Sequence, residues 1–345
     1  MSEDQLPQLI ERHTAWWDRS TCTLLEQVSE YTPPATSESK PPGLPLADGT
    51  RSVEGQVIPP ELIDPTQFYN GLPADVTPVH GDFIGGMSPP HLCWTEATVG
   101  CPVRVAAGGP WAEPIAADWR NPSRIEADPR WLEKLEEFVR LLVERAQGRC
   151  PVTQPLMRGP TDMMASAVGH EEACMALIDE PGRAADFLAR CSSIFVDIAE
   201  RRLRHTPPFH GGYLSSYGIW APGTVVRTQI DNATLVSPAM YRDQLLEHDR
   251  VIMDAFDFSL IHVHSGCLHV VDALLDVDEL QAIQVSIDHP GGPLAHEVVP
   301  ILERVVRHKP LIVTGPVTPP ELESLRQLGQ HGSLCLNVRL ELDRA

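Results

Sequence analysis

His262 and His264, two positions apart, are the residues of this chain best suited to chemistry. They end an apolar run in which Ile261 and Val263 fall on the opposite face, because successive residues of a β-strand point to opposite sides. Two imidazoles side by side are typical of a metal site or of an acid–base pair. The stretch SLIHVHSGC therefore predicts a buried strand that brings both imidazoles to one end of a sheet.

Two cysteines and a carboxylate could complete a metal site with these histidines. Cys267 follows the predicted strand, and Cys335 lies in a later apolar run. Imidazole nitrogen, thiolate sulfur and carboxylate oxygen are the donors that zinc prefers. We predict a zinc site made of His262, His264 and Cys335, with Cys267 or Asp288 as the fourth group. The alternative is that the histidines bond to carboxylates and that Cys335 is an inert core residue.

Acidic residues next to predicted turns form a second constellation. Asp82 and Asp288, with His264, are predicted as an acid–base set, because clustered carboxylates and imidazoles have shifted pKa values suited to proton transfer. Asp162 and Asp231 also lie beside turns, where the alternative role is to cap a helix or a turn. Further polar residues, with Arg158 and Arg227 suited to an anionic group, are predicted to contact substrate. The predicted substrate-binding residues are His80, Arg158, Asp231, Gln284 and Asn337.

An alternation of short apolar strands and helices must position these residues. A capping box at Thr318 and Glu321 and an N-cap at Asp128 mark two of the helices. After residue 256 the predicted order is strand 259–264, helix 268–276, strand 280–287, helix 294–308, strand 310–314, helix 319–329 and strand 333–338.

This alternation predicts an α/β fold with a parallel sheet and helices outside it. About eight strands, and no GxGxxG or P-loop turn, favour a (β/α)8 barrel over an open doubly wound sheet. In a barrel the reactive groups belong at the C-terminal ends of the strands.

The N-terminal part of the chain has a different pattern. Residues 1–30 show apolar residues at near-helical spacing, and residues 31–60 are rich in Pro, Ser and Gly. We therefore predict two units, an N-terminal helical and proline-rich extension (residues 1–75) packed on the barrel, and the (β/α)8 barrel itself (residues 76–345).

Composition limits the function classes. The net charge of −20 over 345 residues argues against nucleic-acid binding and against docking to an anionic membrane. No apolar stretch reaches the roughly 18 residues of a membrane span, and the N-terminus is too polar for a secretory signal. The eight cysteines are scattered without a CxxC pair or a regular framework, and most are expected to be reduced and buried. These features predict a cytoplasmic protein with a small-molecule ligand.

Three stretches of the chain resemble the uroporphyrinogen decarboxylase superfamily, which contains tetrapyrrole decarboxylases and zinc-dependent, corrinoid-linked methyltransferases. They are LMRGPTDMMASAVGHEEACMALIDEP, LVSPAMYRDQLLEHDRVIMD and LIHVHSGCLHVVDALLDVDELQAIQVSID. The resemblance implies a (β/α)8 barrel, and it implies a homodimer by analogy.

The two branches of that superfamily differ in their site motifs. The decarboxylases carry an arginine-rich turn after the first strand, where this chain has GDFIGGM without arginine. The methyltransferases hold zinc with a His-x-Cys pair and a second cysteine, and His262 and Cys335 occupy comparable places here. His264 stands where the cysteine of the pair is expected, with Cys267 three residues later.

Three functions follow, in order of preference. The first is a zinc-dependent methyltransferase acting with a thiol or with a corrinoid carried by a partner protein. The second is a metal-free decarboxylase or lyase acting on a carboxylated small molecule. The third is a non-catalytic small-molecule binding protein.

Overall fold

A six-stranded parallel sheet forms the centre of the molecule in the computed structural model, which describes residues 5–30, 43–69 and 79–342. The strand order is β1-β6-β5-β4-β3-β2, and every neighbouring pair is parallel. The strands are β1 (Leu24–Glu30), β2 (Val225–Gln229), β3 (Phe258–His264), β4 (Ala282–Ser286), β5 (Leu311–Val317) and β6 (Leu334–Leu340).

Two irregular extended segments complete the ring between β1 and β2. The first, 82–87, joins β1 through Asp82, whose Oδ2 accepts a hydrogen bond from the Glu26 amide at 3.0 Å. It joins the second segment through a parallel bridge between Met87 and Val152.

The second segment, 150–154, closes the ring on β2 through a side chain. The amide group of Gln154 accepts from the Arg227 N–H at 2.9 Å and donates to the Arg227 carbonyl at 2.6 Å. Eight extended segments therefore surround one core, and the fold is the predicted (β/α)8 barrel.

Helices follow the strands and cover the outside of the barrel. Two predicted helix starts are confirmed, since the Asp128 side chain caps its helix and Thr318 with Glu321 forms a capping box. Across the described ranges, no helix is both long and apolar enough to cross a membrane. The α-helices of five or more residues are α1 (Gln5–Asp18), α2 (Trp94–Val99), α3 (Pro129–Ala146), α4 (Pro160–Val168), α5 (His170–Asp179), α6 (Pro181–His205), α7 (Leu246–Asp254), α8 (Val271–Leu275), α9 (Ala295–His308) and α10 (Pro319–Leu328).

Shorter elements lie in the loops. Three small antiparallel hairpins pair Val79–His80 with Phe83–Ile84, Val103–Ala106 with Gly109–Ala112, and Tyr213–Leu214 with Trp220–Ala221. Short helical turns occur at Pro60–Leu62, Pro65–Phe68, Pro122–Arg124, Asp231–Leu235, Pro238–Met240 and Ser265–Val270, and one π-helical turn at Tyr241–Leu245 leads into α7.

The predicted N-terminal helix is right for residues 5–18 and wrong for residues 24–30. Those last residues form β1, which pairs with β6 along its whole length and so belongs to the barrel sheet. Pairing with a neighbouring strand outweighs the weak helical spacing of the apolar residues there. The domain boundary predicted near residue 75 lies outside the described residues and stays a prediction.

Helix α1 closes the N-terminal end of the barrel. Trp16 and Trp17 are 0% and 5% exposed. They pack against buried residues near the N-terminal ends of the barrel strands. Trp17 also donates from its indole nitrogen to the Trp220 carbonyl at 2.9 Å. The strand residues of this apolar cluster are Leu25, Val225, Leu260, Ala282, Ile312 and Cys335.

Removing this closure should destabilise the whole barrel. We expect Trp17→Ala to lower the free energy of unfolding by about 3–5 kcal/mol, because it leaves a cavity where a large aromatic side chain was buried. Urea unfolding followed by circular dichroism measures the loss. Trp111→Ala is the matched control, since Trp111 is 50% exposed, and equal losses in the two variants would contradict a structural role for the α1 closure.

Candidate functional site

Asp231, His262 and His264 converge at the C-terminal ends of β2 and β3. The two imidazole Nε2 atoms are 3.2 Å apart. Oδ1 of Asp231 lies 3.3 Å from Nε2 of His264 and 3.7 Å from Nε2 of His262. Among the described residues, these three form the group of His, Cys, Asp or Glu side chains whose donor atoms are close enough to hold one metal ion.

The other ring nitrogen of each histidine is hydrogen-bonded behind the group. Nδ1 of His262 donates to Oε1 of Gln284. Nδ1 of His264 donates to Oδ2 of Asp288 at 2.9 Å, and the Ser265 amide donates to the same oxygen at 3.1 Å. Such contacts are typical of metal-binding histidines, because they fix the ring orientation and leave Nε2 for the metal.

The two imidazoles have opposite protonation tendencies. Burial, and then the positive charge of Arg227, lower the pKa of His262 to about 4. The carboxylates of Asp231 and Asp288 raise the pKa of His264 to about 10. At neutral pH His262 is therefore neutral, and His264 carries protons on both of its ring nitrogens.

One proton at the centre of this group faces two acceptors. The proton on Nε2 of His264 can satisfy either Nε2 of His262 or Oδ1 of Asp231, but not both at once. In the described structure, Oδ1 of Asp231 is buried and accepts no hydrogen bond of good geometry. Oδ1 therefore pairs with the charged His264 ring at 3.3 Å without a well-formed hydrogen bond, and a cation bound to all three donor atoms would satisfy both acceptors at once.

The spacing of the three donor atoms fits a zinc ion. Tetrahedral zinc with bonds of about 2.0–2.2 Å places neighbouring ligand atoms about 3.3–3.6 Å apart. The three distances found between these donor atoms, 3.2, 3.3 and 3.7 Å, bracket that range. Two imidazoles and one carboxylate are also a donor set that zinc accepts in catalytic sites with an open position.

A buried carboxylate holds the turn that carries Asp231. Asp162 accepts from the backbone amides of Asp231 at 3.1 Å and Asn232 at 2.8 Å, and from the Asn232 side chain at 2.9 Å. Burial, followed by the charge of Asp231, raises the pKa of Asp162 to about 7. Asp162 is thus the turn cap that the sequence allowed as its alternative role, and it fixes where the Asp231 carboxylate points.

An open cavity of about 850 Å³ lies at the mouth of the barrel. Two of its lining residues touch the site, because Asp288 bonds to His264 and the Tyr217 hydroxyl lies 3.5 Å from Nδ1 of His262. The predicted substrate-binding residue Asn337 lines this cavity, whereas Gln284 lies beneath it. The polar lining residues include Ser29, Ser286, Asp288, His289, Thr314, Asn337, Arg339 and Glu341.

The predicted thiol ligands do not belong to the group of three. Cys335 is fully buried in the apolar cluster around Trp17, and burial raises its pKa. It precedes Asn337 by two residues on the same face of β6, so it lies one layer deeper in the barrel. Cys267 is buried and donates from Sγ to the Asp231 carbonyl at 3.7 Å, and burial raises its pKa to about 12. Asp231, predicted as a substrate contact, lies next to the two histidines. Its role in substrate binding stays a prediction.

Three other predicted site residues lie apart from this group. Asp82 forms an ion pair with Arg12 of α1 at 2.5 Å, and His80 is exposed on the same hairpin. Arg158 forms an ion pair with the buried Glu96 carboxylate at 3.4 Å, and its charge helps to lower the pKa of Asp231. Their predicted roles in catalysis and substrate binding stay predictions.

The sequence patterns did not indicate several polar side chains that lie beneath Asp231, His262 and His264. Tyr217, Gln229 and Thr314 form hydrogen bonds with Arg227, Asp231 and Gln284. Polar residues at positions 227, 229 and 231 recur every two residues, as His262 and His264 do, and that alternation could have revealed the β2 contribution. The position of Tyr217 depends on a hairpin outside the sheet, which no local pattern reveals.

Comparison with known proteins gives a likeness of fold. No family model matches the chain, and no curated protein matches it in sequence. Among solved structures it is similar to a methyltransferase from Methanosarcina mazei, with a TM-score of 0.55 and 12% identity over 74% of this chain and 75% of the other. It is also similar to a B12-independent methionine synthase from Shewanella sp. W3-18-1, with a TM-score of 0.40 and 14% identity over 59% of each chain.

Side-chain nitrogen NMR of zinc-free protein tests the contrast between the two imidazoles. Between about pH 5.5 and 8.5 we expect His262 to stay neutral and His264 to stay charged, because their pKa values lie outside that window on opposite sides. Asp288→Asn should lower the pKa of His264, since it removes one of the two carboxylates beside that ring. Titration of both rings together near pH 6.5 would contradict the described arrangement.

Proposed function

We propose that the protein is a zinc-dependent methyltransferase whose zinc is held by Asp231, His262 and His264. The main support for the proposal is the convergence of three donor atoms, one of them a buried carboxylate oxygen that accepts no hydrogen bond of good geometry. The resemblance of the sequence to corrinoid-linked methyltransferases and the fold likeness to a methyltransferase support the type of reaction.

Residues around the proposed ligands would hold them in position before substrate binds. Gln284 and Asp288 orient the imidazoles, and Asp162 orients the turn of Asp231. Bound zinc would lower the pKa of a thiol at its open position, so that the thiolate is available as a nucleophile near neutral pH.

This cavity is the proposed binding place of the substrates. Most of its lining residues are polar, and two of them, Asp288 and Tyr217, lie against His264 and His262, so a small polar thiol is the proposed methyl acceptor. A corrinoid carried by a partner protein is the proposed methyl donor. The acceptor would react as its thiolate, after releasing its proton to solvent, and its sulfur would form the bond to the methyl carbon while the donor keeps the electron pair of the bond that breaks.

The metal-free decarboxylase has less support than the methyltransferase. It would use Asp82 or Asp288 with a histidine as its acid–base pair. Asp82 is ion-paired with Arg12 and hydrogen-bonded to the Glu26 amide, while Asp288 orients His264. Both carboxylates therefore have partners within the protein that account for their positions.

Zinc titration of the purified protein tests the ligand set. We expect one zinc per chain, and more than about 100-fold weaker binding for Asp231→Asn and for His262→Gln, because each removes a ligand. Cys335→Ala and Cys267→Ala are the matched controls and should keep wild-type affinity. Loss of zinc in the cysteine variants with retention in Asp231→Asn would contradict the proposed ligands.

The same titration should depend on pH in a defined direction. Zinc must displace the Nε2 proton of His264, whose pKa is raised to about 10. Binding should therefore release about one proton at pH 7, and the affinity should rise about tenfold per pH unit through the neutral range. Calorimetry in buffers of different ionisation enthalpy counts that proton, and an affinity independent of pH would contradict the role of His264.

Activity is tested with a methylated corrinoid and a panel of small thiols. The zinc-loaded protein should transfer the methyl group to at least one thiol, and the chelator-treated protein and Asp231→Asn should be at least about 100-fold slower. Product is measured as the methyl thioether by mass spectrometry. An equal rate with and without zinc would contradict the proposed function.

A further inference from the structure

A chain of hydrogen bonds runs beneath the candidate metal site and joins Asp231 to His262. We propose that Arg227 and Tyr217 are positioning residues that set the relative orientation of these two ligands. This inference rests on the proposed zinc site and adds to it the residues that hold its geometry.

The first half of the chain leads from Asp231 down to Arg227. Oδ2 of Asp231 accepts from the Gln229 side-chain amide at 2.8 Å. The oxygen of that same amide accepts from Nη1 of Arg227 at 2.6 Å. Because both ends of the Gln229 amide are engaged, the amide has one orientation, and Arg227 thereby fixes the Asp231 oxygen that faces away from the histidines.

The second half leads from Arg227 up to His262. Nε of Arg227 donates to the Tyr217 hydroxyl at 3.2 Å, and that hydroxyl donates to Oε1 of Gln284 at 2.5 Å. The same Oε1 accepts from Nδ1 of His262, while the Gln284 nitrogen donates to Thr314 at 2.8 Å. The Gln284 amide is thus also fixed, with its oxygen toward the histidine.

The Tyr217 hydroxyl bonds to both halves of this chain of hydrogen bonds, through Arg227 and through Gln284. Arg227, Gln229 and Gln284 are buried at 5%, 3% and 0% exposure, so water cannot easily replace a lost partner. Without the hydroxyl, Arg227 and Gln284 each lose a hydrogen bond while both side chains remain buried. Linked buried hydrogen bonds strengthen one another, so the loss should reach both ligands.

Tyr217 does not come from a barrel strand. It lies in the hairpin of Tyr213–Leu214 and Trp220–Ala221, and this hairpin is fastened to α1. The Trp220 amide donates to Nδ1 of His13 at 2.9 Å, and Trp17 donates to the Trp220 carbonyl. The element that closes the base of the barrel therefore also holds the residue that supports the ligands from below.

Zinc affinity of Tyr217→Phe tests the proposal, because this variant removes one hydroxyl and leaves the ring. We expect zinc binding to weaken about 10–100-fold, as for other residues that orient metal ligands. Tyr213→Phe on the same hairpin is the matched control and should bind zinc as wild type does. The absorption bands of bound cobalt(II) should shift in Tyr217→Phe and stay unchanged in the control.

A double-mutant cycle separates positioning from a general structural role. Gln229→Met acts on the Asp231 half and Tyr217→Phe on the junction, so the combined loss in zinc affinity should be clearly smaller than the product of the single losses. Affinity equal to wild type in Tyr217→Phe, or multiplicative losses, would overturn the positioning role and leave the metal site standing. Absence of zinc uptake by the wild-type protein would overturn both.

Discussion

The site depends on the fixed direction of two imidazole rings. Gln284 and Asp288 accept hydrogen bonds from Nδ1 of His262 and of His264. Both Nε2 atoms therefore face the Asp231 carboxylate. Three donor atoms then lie within 3.7 Å of one another with one proton between them. This shortage of protons is the physical reason to infer a cation, and it arises from contacts outside the three residues themselves.

The two ends of the barrel differ in composition: apolar residues that stabilise the fold lie at the base, and polar residues of the candidate site lie at the mouth. At the base, α1 and the first residues of the strands form an apolar cluster that includes Trp17 and Cys335. At the mouth, polar side chains from β1, β4, β5 and β6 line the open cavity. Buried hydrogen bonds through Arg227 and Tyr217 connect the two levels, so the closure at the base and the ligands above it belong to one packed unit.

Much of this architecture could be predicted from sequence, because the apolar runs of β3, β4 and β6 and the helix caps at Asp128 and Thr318 are strong local signals. The strand at residues 24–30 could not, since its partner β6 lies about three hundred positions away. The same limit applies to the site. Period-two alternation indicated His262 and His264, whereas the depth of Cys335 depends on the stagger of strands around the barrel.

The proposed zinc site depends on whether its third ligand is a carboxylate or a thiol. Anomalous diffraction at the zinc absorption edge, on crystals of protein purified without added metal, locates the ion directly. We expect one strong anomalous peak between Nε2 of His262, Nε2 of His264 and Oδ1 of Asp231, at about 2.0–2.2 Å from each. A peak within bonding distance of Cys335 or Cys267, or no peak at these histidines, would contradict it.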